Sequence, residues 1–280
     1  MTSATTIVTE TACAKINLAL HVRARRADGY HEIETLFAFV DDGDRLSAEP
    51  AVDLALDVTG PCAGALAGED DNLVLRAARA MQAHFDVSDG AAIRLDKRLP
   101  VAAGLGGGSA DAAAVARALA RLWRLDADED ALVAAVGGLG ADVPVCVASH
   151  MAVGRGIGDH GEPWVQAVHW RGMPVLLVNP GVACPTGPVY RAWDGVDRGP
   201  LTDDMADWRN DLEPGAVALA PPIADVLAAL RGCAGASLVR MSGSGATCFA
   251  LFDDAAARDG AASAIRAAHP GWWTMTGALR

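Results

Sequence analysis

The stretch with the most chemical content reads Leu99-Pro100-Val101-Ala102-Ala103-Gly104-Leu105-Gly106-Gly107-Gly108-Ser109-Ala110-Asp111. Glycines let a backbone turn several N–H groups toward one point. A helix beginning there adds unpaired N–H groups and the positive end of its dipole, which together make an anion site. The alternative is a flexible linker. An amphipathic helix abutting the glycines, with Ser109 as its expected N-cap, favours phosphate. The two commonest phosphate loops do not fit. Neither lysine follows a glycine as a Walker A loop requires, and Pro100 and the polar Asp96-Lys97-Arg98 stand where a dinucleotide fingerprint needs a strand feeding straight into the turn.

Three shorter segments carry candidate chemistry. In Gly140-Ala141-Asp142-Val143-Pro144 an Asp two residues before a proline at a helix start reads by local rules as a helix N-cap. Ser242-Gly243-Ser244-Gly245-Ala246, between two strands, is a hairpin turn or a second glycine motif. Arg25-Arg26-Ala27-Asp28-Gly29-Tyr30-His31 places two aromatic rings directly after an Asp-Gly turn, on the surface or in a site. The basic residues are 21 Arg and two Lys, Lys15 and Lys97, and the tyrosines are only Tyr30 and Tyr190. A chain that uses Arg nearly everywhere keeps Lys where a compact ammonium is needed.

The elements that must hold these segments follow from periodicity. Ile16, Leu18, Leu20 and Val22 alternate with polar and small residues, which predicts a half-buried strand with Lys15 and Asn17 on its polar face. Residues 32–40 and 45–49 are further strands, joined by an Asp41-Asp42-Gly43-Asp44 turn. Helices are expected at 72–85, 109–123 and 129–136, a strand at 91–95, and a short element at 141–148. From 175 onward a strand, a helix at 222–230, strands at 237–241 and 247–252, a helix at 254–268 and a strand at 272–276 give the order β-α-β-β-α-β of the ferredoxin-like split βαβ unit. The polar, Gly-rich 154–163 is the expected boundary between domains 1–160 and 161–280.

Composition excludes several classes. The 280 residues are 51% hydrophobic and 21% charged, enough for a sizeable core in one large or two medium domains. A net charge of −12 argues against a nucleic-acid or membrane-surface protein. No run of ~18 apolar residues or leader-like N-terminus appears, so a cytoplasmic location is expected. The six cysteines are scattered and form no CxxC, as buried thiols in a reducing compartment do, and no metal-ligand spacing appears.

Taken together, the segment from Pro100 to Asp111 and the Ser242–Ala246 turn resemble the phosphate and C-terminal glycine motifs of the GHMP family of small-molecule kinases. Ala14-Lys15-Ile16-Asn17-Leu18, the Asp28-Gly29-Tyr30-His31 loop, Gly140–Pro144 and Met241–Thr247 narrow the resemblance to a branch whose acceptor is a cytidine diphosphate-linked sugar alcohol, in order and spacing over residues 9–252.

That resemblance implies an α+β, two-domain fold: an N-terminal domain like ribosomal protein S5 domain 2, a C-terminal ferredoxin-like domain, and a cleft between them. It implies transfer of the ATP γ-phosphoryl group to the 2-hydroxyl of a methylerythritol moiety, with Mg2+ carried by the nucleotide and no metal ligand assigned on the protein. Asp142 is expected to accept the hydroxyl proton and Lys15 to pair with it and offset phosphoryl charge. Asn72, Lys97, Pro100, Gly104, Leu105, Gly106, Gly107, Gly108 and Ser109 are expected to hold ATP. Asn17, Tyr30, His31, Thr186, Tyr190, Gly243 and Ser244 are expected to hold the acceptor, its cytosine sandwiched between the tyrosines. Arg23, Arg25, Arg26, Lys97 and Arg98 are candidates for a locally basic approach. Ala110 stands where many members have a serine, and 181–211 matches only in outline. Other GHMP kinases, such as homoserine or mevalonate kinases, and a non-catalytic nucleotide sensor are the alternatives. No nucleic-acid or membrane partner is expected; monomer and homodimer stay open.

Overall fold

The structure, a computed structural model, describes residues 6–68, 71–158 and 160–280. The chain divides into two compact units built from interleaved segments: 1–14, 43–101 and 106–149 form one, and 15–42, 102–105 and 150–280 the other. Two long strands, β1 (Val8–Arg25) and β2 (His31–Ala51), contribute to both.

In the first unit, residues 45–51 of β2 pair antiparallel with β4 (Gly90–Asp96), and β3 (Leu54–Thr59) pairs with β4 in parallel. Helices α1 (Leu73–Phe85), α2 (Gly107–Leu122), α3 (Glu129–Val136) and α4 (Val143–Ala148) complete it. Helix α2 buries ten of its 16 residues, seven of them alanines, so it is enclosed nearly all round. Small side chains let α1 and α4 approach it closely, and Asp111 is the one ionisable group among those ten.

The expected turn at 41–44 does not form, and β2 runs straight through it. Two long-range demands override the local turn signal. Gly43 lies so close to β1 that a Cβ there would sit 2.0 Å from the Ala12 carbonyl oxygen. Asp44 is fully buried as an acceptor for Lys97 and for the backbone N–H groups of Arg98 and Leu99.

The second unit contains β7 (Pro174–Asn179), α5 (Thr186–Arg191), α6 (Glu213–Leu219), α7 (Pro222–Arg231), β8 (Ala236–Met241), β9 (Cys248–Phe252), α8 (Ala255–Ala268) and β10 (Trp273–Ala278). The sheet order is β10-β7-β9-β8, antiparallel throughout, which is the expected split βαβ arrangement. The same unit holds residues 35–37 of β2 against β5 (Ala152–Arg155), which pairs with β6 (His160–Pro163). Strand β1 is buried on both faces across Ala12–Val22, so Lys15 and Asn17 do not lie on a solvated face as the alternation suggested. All six cysteines are free thiols. Among the described residues no helix is long and apolar enough to cross a membrane.

Candidate active site

In the first unit the glycine loop ends at Gly106, which takes φ 61° and ψ 22° and starts α2 at Gly107. Ser109 is therefore the third residue of the helix and not its cap. A left-handed N-cap residue costs glycine nothing, so the helix begins earlier than a serine cap would place it. No side chain caps α2, so its first N–H groups are left for a ligand or water. The Gly140 loop stands beside this turn, where a Cβ at Gly140 would lie 3.9 Å from Ser109 Oγ.

Asp142 occupies the N-cap position of α4 but makes no side-chain capping bond; it is half-buried. Its carboxylate is thus not spent as a cap, the bland role that its position before Pro144 suggested. Asn72, by contrast, is a working cap: its Oδ1 accepts from Val74 N–H at 2.9 Å and starts α1.

Lys97 is buried, its Nζ 2.6 Å from Asp44 Oδ2 and 2.6 Å from Asp111 Oδ2. Burial acts to lower the ammonium pKa, but the Asp111 and Asp44 carboxylates outweigh it and hold the group above its usual value. The Asp111 carboxyl is raised as well: burial, reinforced by Asp44, pushes it well above the carboxylate range against the pull of Lys97. The Asp111 Oδ1 atom is buried without a partner. Neither Asp44 nor Asp111 stood out as functional in the sequence; the only signal was an Asp in each of two strongly patterned segments.

In the second unit the β8–β9 turn is more than a hairpin. Ser242 Oγ donates to Gly104 O at 2.7 Å and accepts Asn17 N–H at 3.2 Å. Lys15 N–H bonds Leu105 O at 3.0 Å, and Thr247 N–H bonds Ala103 O at 3.2 Å. Residues 102–105 are therefore held between β1 and this turn. A Cβ on Gly104, which has φ 76°, would lie 2.3 Å from Ser242 O, so glycine is required there by both space and backbone angle. Asn210, which sequence reasoning missed, pins the turn by donating from Nδ2 to Met241 O and Gly243 O, each at 2.8 Å.

The Lys15 ammonium donates to Asn17 Oδ1 at 3.1 Å and lies 5.1 Å from the Phe37 ring centroid. Asn17 in turn donates to Thr35 Oγ1 at 2.7 Å. The side chains of Thr186 and Ser244 meet at 3.0 Å, with Cys184 Sγ donating to Ser244 O.

His31 packs against Tyr190, ring centroids 5.1 Å apart, and edge-on against Trp193 at 5.8 Å. Burial, then the Arg25 cation, hold its pKa below the ordinary imidazole value, which favours the neutral ring. His31 Nε2 and Trp193 Nε1 are both buried without a protein partner. Tyr30 stands beside His31 in sequence and is 59% exposed. Trp193 was missed because nothing in the outline of 181–211 distinguished it from a core tryptophan. The expected basic approach is thinner than the sequence suggested. Arg23 is paired with Glu34 and Asp197, Arg26 with Asp28 and Glu32, and Lys97 is enclosed by acids.

The family model for the GHMP kinases N terminal domain matches residues 72–150, and that for the GHMP kinases C terminal domain matches residues 198–271. A 4-diphosphocytidyl-2-C-methyl-D-erythritol kinase of Rhizorhabdus wittichii is 55% identical over 279 residues, covering 97% of this chain and 94% of the relative. The chain belongs to the GHMP kinase family, in its 4-diphosphocytidyl-2-C-methyl-D-erythritol kinase branch. A kinase of the same description from Sphingopyxis alaskensis is 53% identical, with 97% of this chain and 98% of the relative covered. A crystal structure of a 4-(cytidine 5'-diphospho)-2C-methyl-D-erythritol kinase superimposes with a TM-score of 0.82 at 37% identity, covering 97% of this chain and 98% of that one. A homoserine kinase from Cytophaga hutchinsonii, at 17% identity and a TM-score of 0.68 over 100% of this chain and 96% of that one, shares the fold.

Proposed function

We propose that this GHMP kinase transfers the γ-phosphoryl group of ATP to the 2-hydroxyl of 4-(cytidine 5'-diphospho)-2-C-methyl-D-erythritol, a step of the non-mevalonate route to isoprenoid precursors. The observation that carries this reading is the 55% identity, over 97% of the chain, to a kinase named for that acceptor.

Phosphoryl transfer asks the protein mainly for positioning and electrostatic stabilisation. The N–H groups of Gly106, Gly107, Gly108 and Ser109 receive the triphosphate at the uncapped start of α2, with Mg2+ entering on the nucleotide. Gly104 and Leu105 shape the approach to that loop, Pro100 starts it, and Asn72 and Lys97 lie toward the adenosine end. Asp142 orients the acceptor hydroxyl and takes its proton as the O–P bond forms. Lys15 offsets the charge developing on the phosphoryl oxygens.

Tyr30 and Tyr190 stack on the cytosine ring, and His31 meets the base edge. The buried, unpartnered His31 Nε2 supports that role, since a buried polar atom calls for a partner. Asn17, Thr186, Gly243 and Ser244 hold the polar groups of the acceptor. The domain division of this function is drawn at residue 160, nucleotide and catalytic base before it and the ferredoxin-like domain after it.

The test is turnover. ATP with the cytidylated acceptor should give phosphorylated acceptor and ADP, whereas homoserine or mevalonate should give none. ADP formation with either of those and none with the cytidylated compound overturns the reading. ATP binding without turnover on any acceptor would favour a sensor.

A further inference from the structure

The first unit contains a buried cluster whose charges do not balance. Lys97 brings one positive charge to two carboxylates, Asp44 and Asp111, and all three side chains are at most 4% exposed. With both acids ionised the interior would hold a net negative charge, and the effective cost of an uncompensated buried ion is several kcal/mol. A proton removes that cost, and the hydrogen bonds show which acid holds it. Asp44 accepts from Lys97 Nζ, from Arg98 N–H at 2.5 Å and from Leu99 N–H at 2.8 Å, a set of donors that favours the ionised form. Asp111 accepts only from Lys97, and its other oxygen is buried and unpartnered. The proton belongs on Asp111.

The cluster ties three pieces of chain together beneath the glycine turn. Asp44 lies on β2, Lys97 directly follows β4, and Asp111 is in the second turn of α2. A Cβ at Gly107 would lie 3.2 Å from Lys97 Nζ, so the ammonium sits against the first residue of α2. We propose that Asp111 is a positioning residue of the nucleotide site: as a neutral carboxyl it holds Lys97 beneath the first turn of α2, and its ionisation at alkaline pH loosens that turn and weakens ATP binding. This rests on the reading that ATP binds at α2. It gives Lys97 a role in shaping the loop through Asp111 and Asp44, distinct from contact with adenosine.

The charges acting on Asp111 are those of Lys97 and Asp44. The helices packed on α2 add no charge among their buried residues, α1 contributing Val74, Ala77, Ala78 and Met81, α3 Leu132 and Val136, and α4 only valines and the Cys146 thiol. Asp111→Asn keeps the shape and the neutrality of the protonated acid but cannot ionise, so it separates the proton from the packing.

The experiment measures ATP dissociation constants by calorimetry at intervals from about pH 7.5, where the γ-phosphate is already ionised, to about pH 9.5. One coupled proton permits up to about tenfold per pH unit above the ionisation. The wild type should weaken at least ~10-fold over that range, and Asp111→Asn should change less than ~2-fold while matching the wild type at pH 7.5. Equal slopes in the two proteins, or a flat wild type, overturn the proposal and leave the nucleotide reading standing. Absence of ATP binding at every pH overturns both. If Asp111→Asn does not fold, infrared spectroscopy of the wild type decides: a carboxylic-acid carbonyl band in the folded protein at pH 7.5 that disappears at pH 9.5, with ATP weakening alongside, supports the proposal. Its absence overturns it.

Discussion

Tyr30 offers the cleanest perturbation of the acceptor pocket. The residue is 59% exposed, and its local order comes from the backbone, where the N–H donates to Asp28 Oδ1 at 3.1 Å. Tyr30→Ala should therefore change folding stability by no more than about 0.5 kcal/mol, as for surface residues generally. Stacking of a base on an aromatic ring is worth ~1–3 kcal/mol, which converts to ~5- to 150-fold in affinity. CDP binding should weaken by that factor in Tyr30→Ala and much less in Tyr30→Phe, with ATP affinity unchanged. Tyr190 provides the internal comparison. Its ring packs on His31 and against the apolar core, so Tyr190→Ala should lose cytidine affinity and thermal stability together. The assay is a competition titration of CDP and CMP against the phosphoryl acceptor, run beside a thermal melt. Failure of cytidine nucleotides to compete in the wild type, or equal weakening of ATP and CDP in Tyr30→Ala, refutes the stacking pocket.

The remaining expectations are briefer. Asp142→Asn should lower turnover ~10²-fold or more with ATP binding nearly intact, because its side chain caps nothing; single-turnover kinetics and a melt would check it, and near-normal turnover in a folded variant would remove Asp142 from the chemistry. Gly106→Val should weaken ATP binding, since φ 61° is strained for a β-branched residue at the position that starts α2; calorimetry on the folded variant decides, and unchanged affinity would make the loop a linker. His31 should titrate below the ordinary imidazole range in an NMR pH series. Because the Arg25 cation opposes imidazolium formation, Arg25→Gln should move the midpoint up, though only partly, as burial is the larger cause. A midpoint that stays put or falls would show that Arg25 does not act on His31.

The ferredoxin-like order was legible because each element carries its own signal. A helix was expected at 222–230, where α7 runs over Pro222–Arg231, and another at 254–268, where α8 starts after the Asp254 cap. Legibility failed where a residue serves a distant partner. Asp41-Asp42-Gly43-Asp44 is a turn by local rules, yet Asp44 answers Lys97, 53 residues away, and Asp41 Oδ1 accepts Ala278 N–H, 237 residues away. Nothing near Asn210 announces that it holds the turn after β8, whereas β3 does carry a period-two pattern, Leu54, Leu56 and Val58 half-buried between exposed Ala55, Asp57 and Thr59, which was not singled out as a strand of its own. Ser109 misled for a different reason: both it and Gly106 can begin a helix, and the glycine comes first. The glycine loop, the aromatic pair at Tyr30 and His31 and the two lysines were visible as residues; the buried acids that surround one lysine and the indole beside His31 were not.

The interleaving of the two units also sets an order of events on the ribosome. All segments of the first unit have been synthesised by residue 149, whereas the second waits for β10, whose partner is β7 and whose neighbour Leu279 bridges to Val40. At ~5–20 residues per second the intervening stretch takes roughly 7 to 26 seconds to make. At the start of that interval residues 15–42 have been made while several of their partners have not, among them Asp211 for Val22 and Ser242 for Asn17. A largely apolar strand held waiting in this way is a natural client for a chaperone that shields extended segments, and the late-arriving half of the chain must displace it.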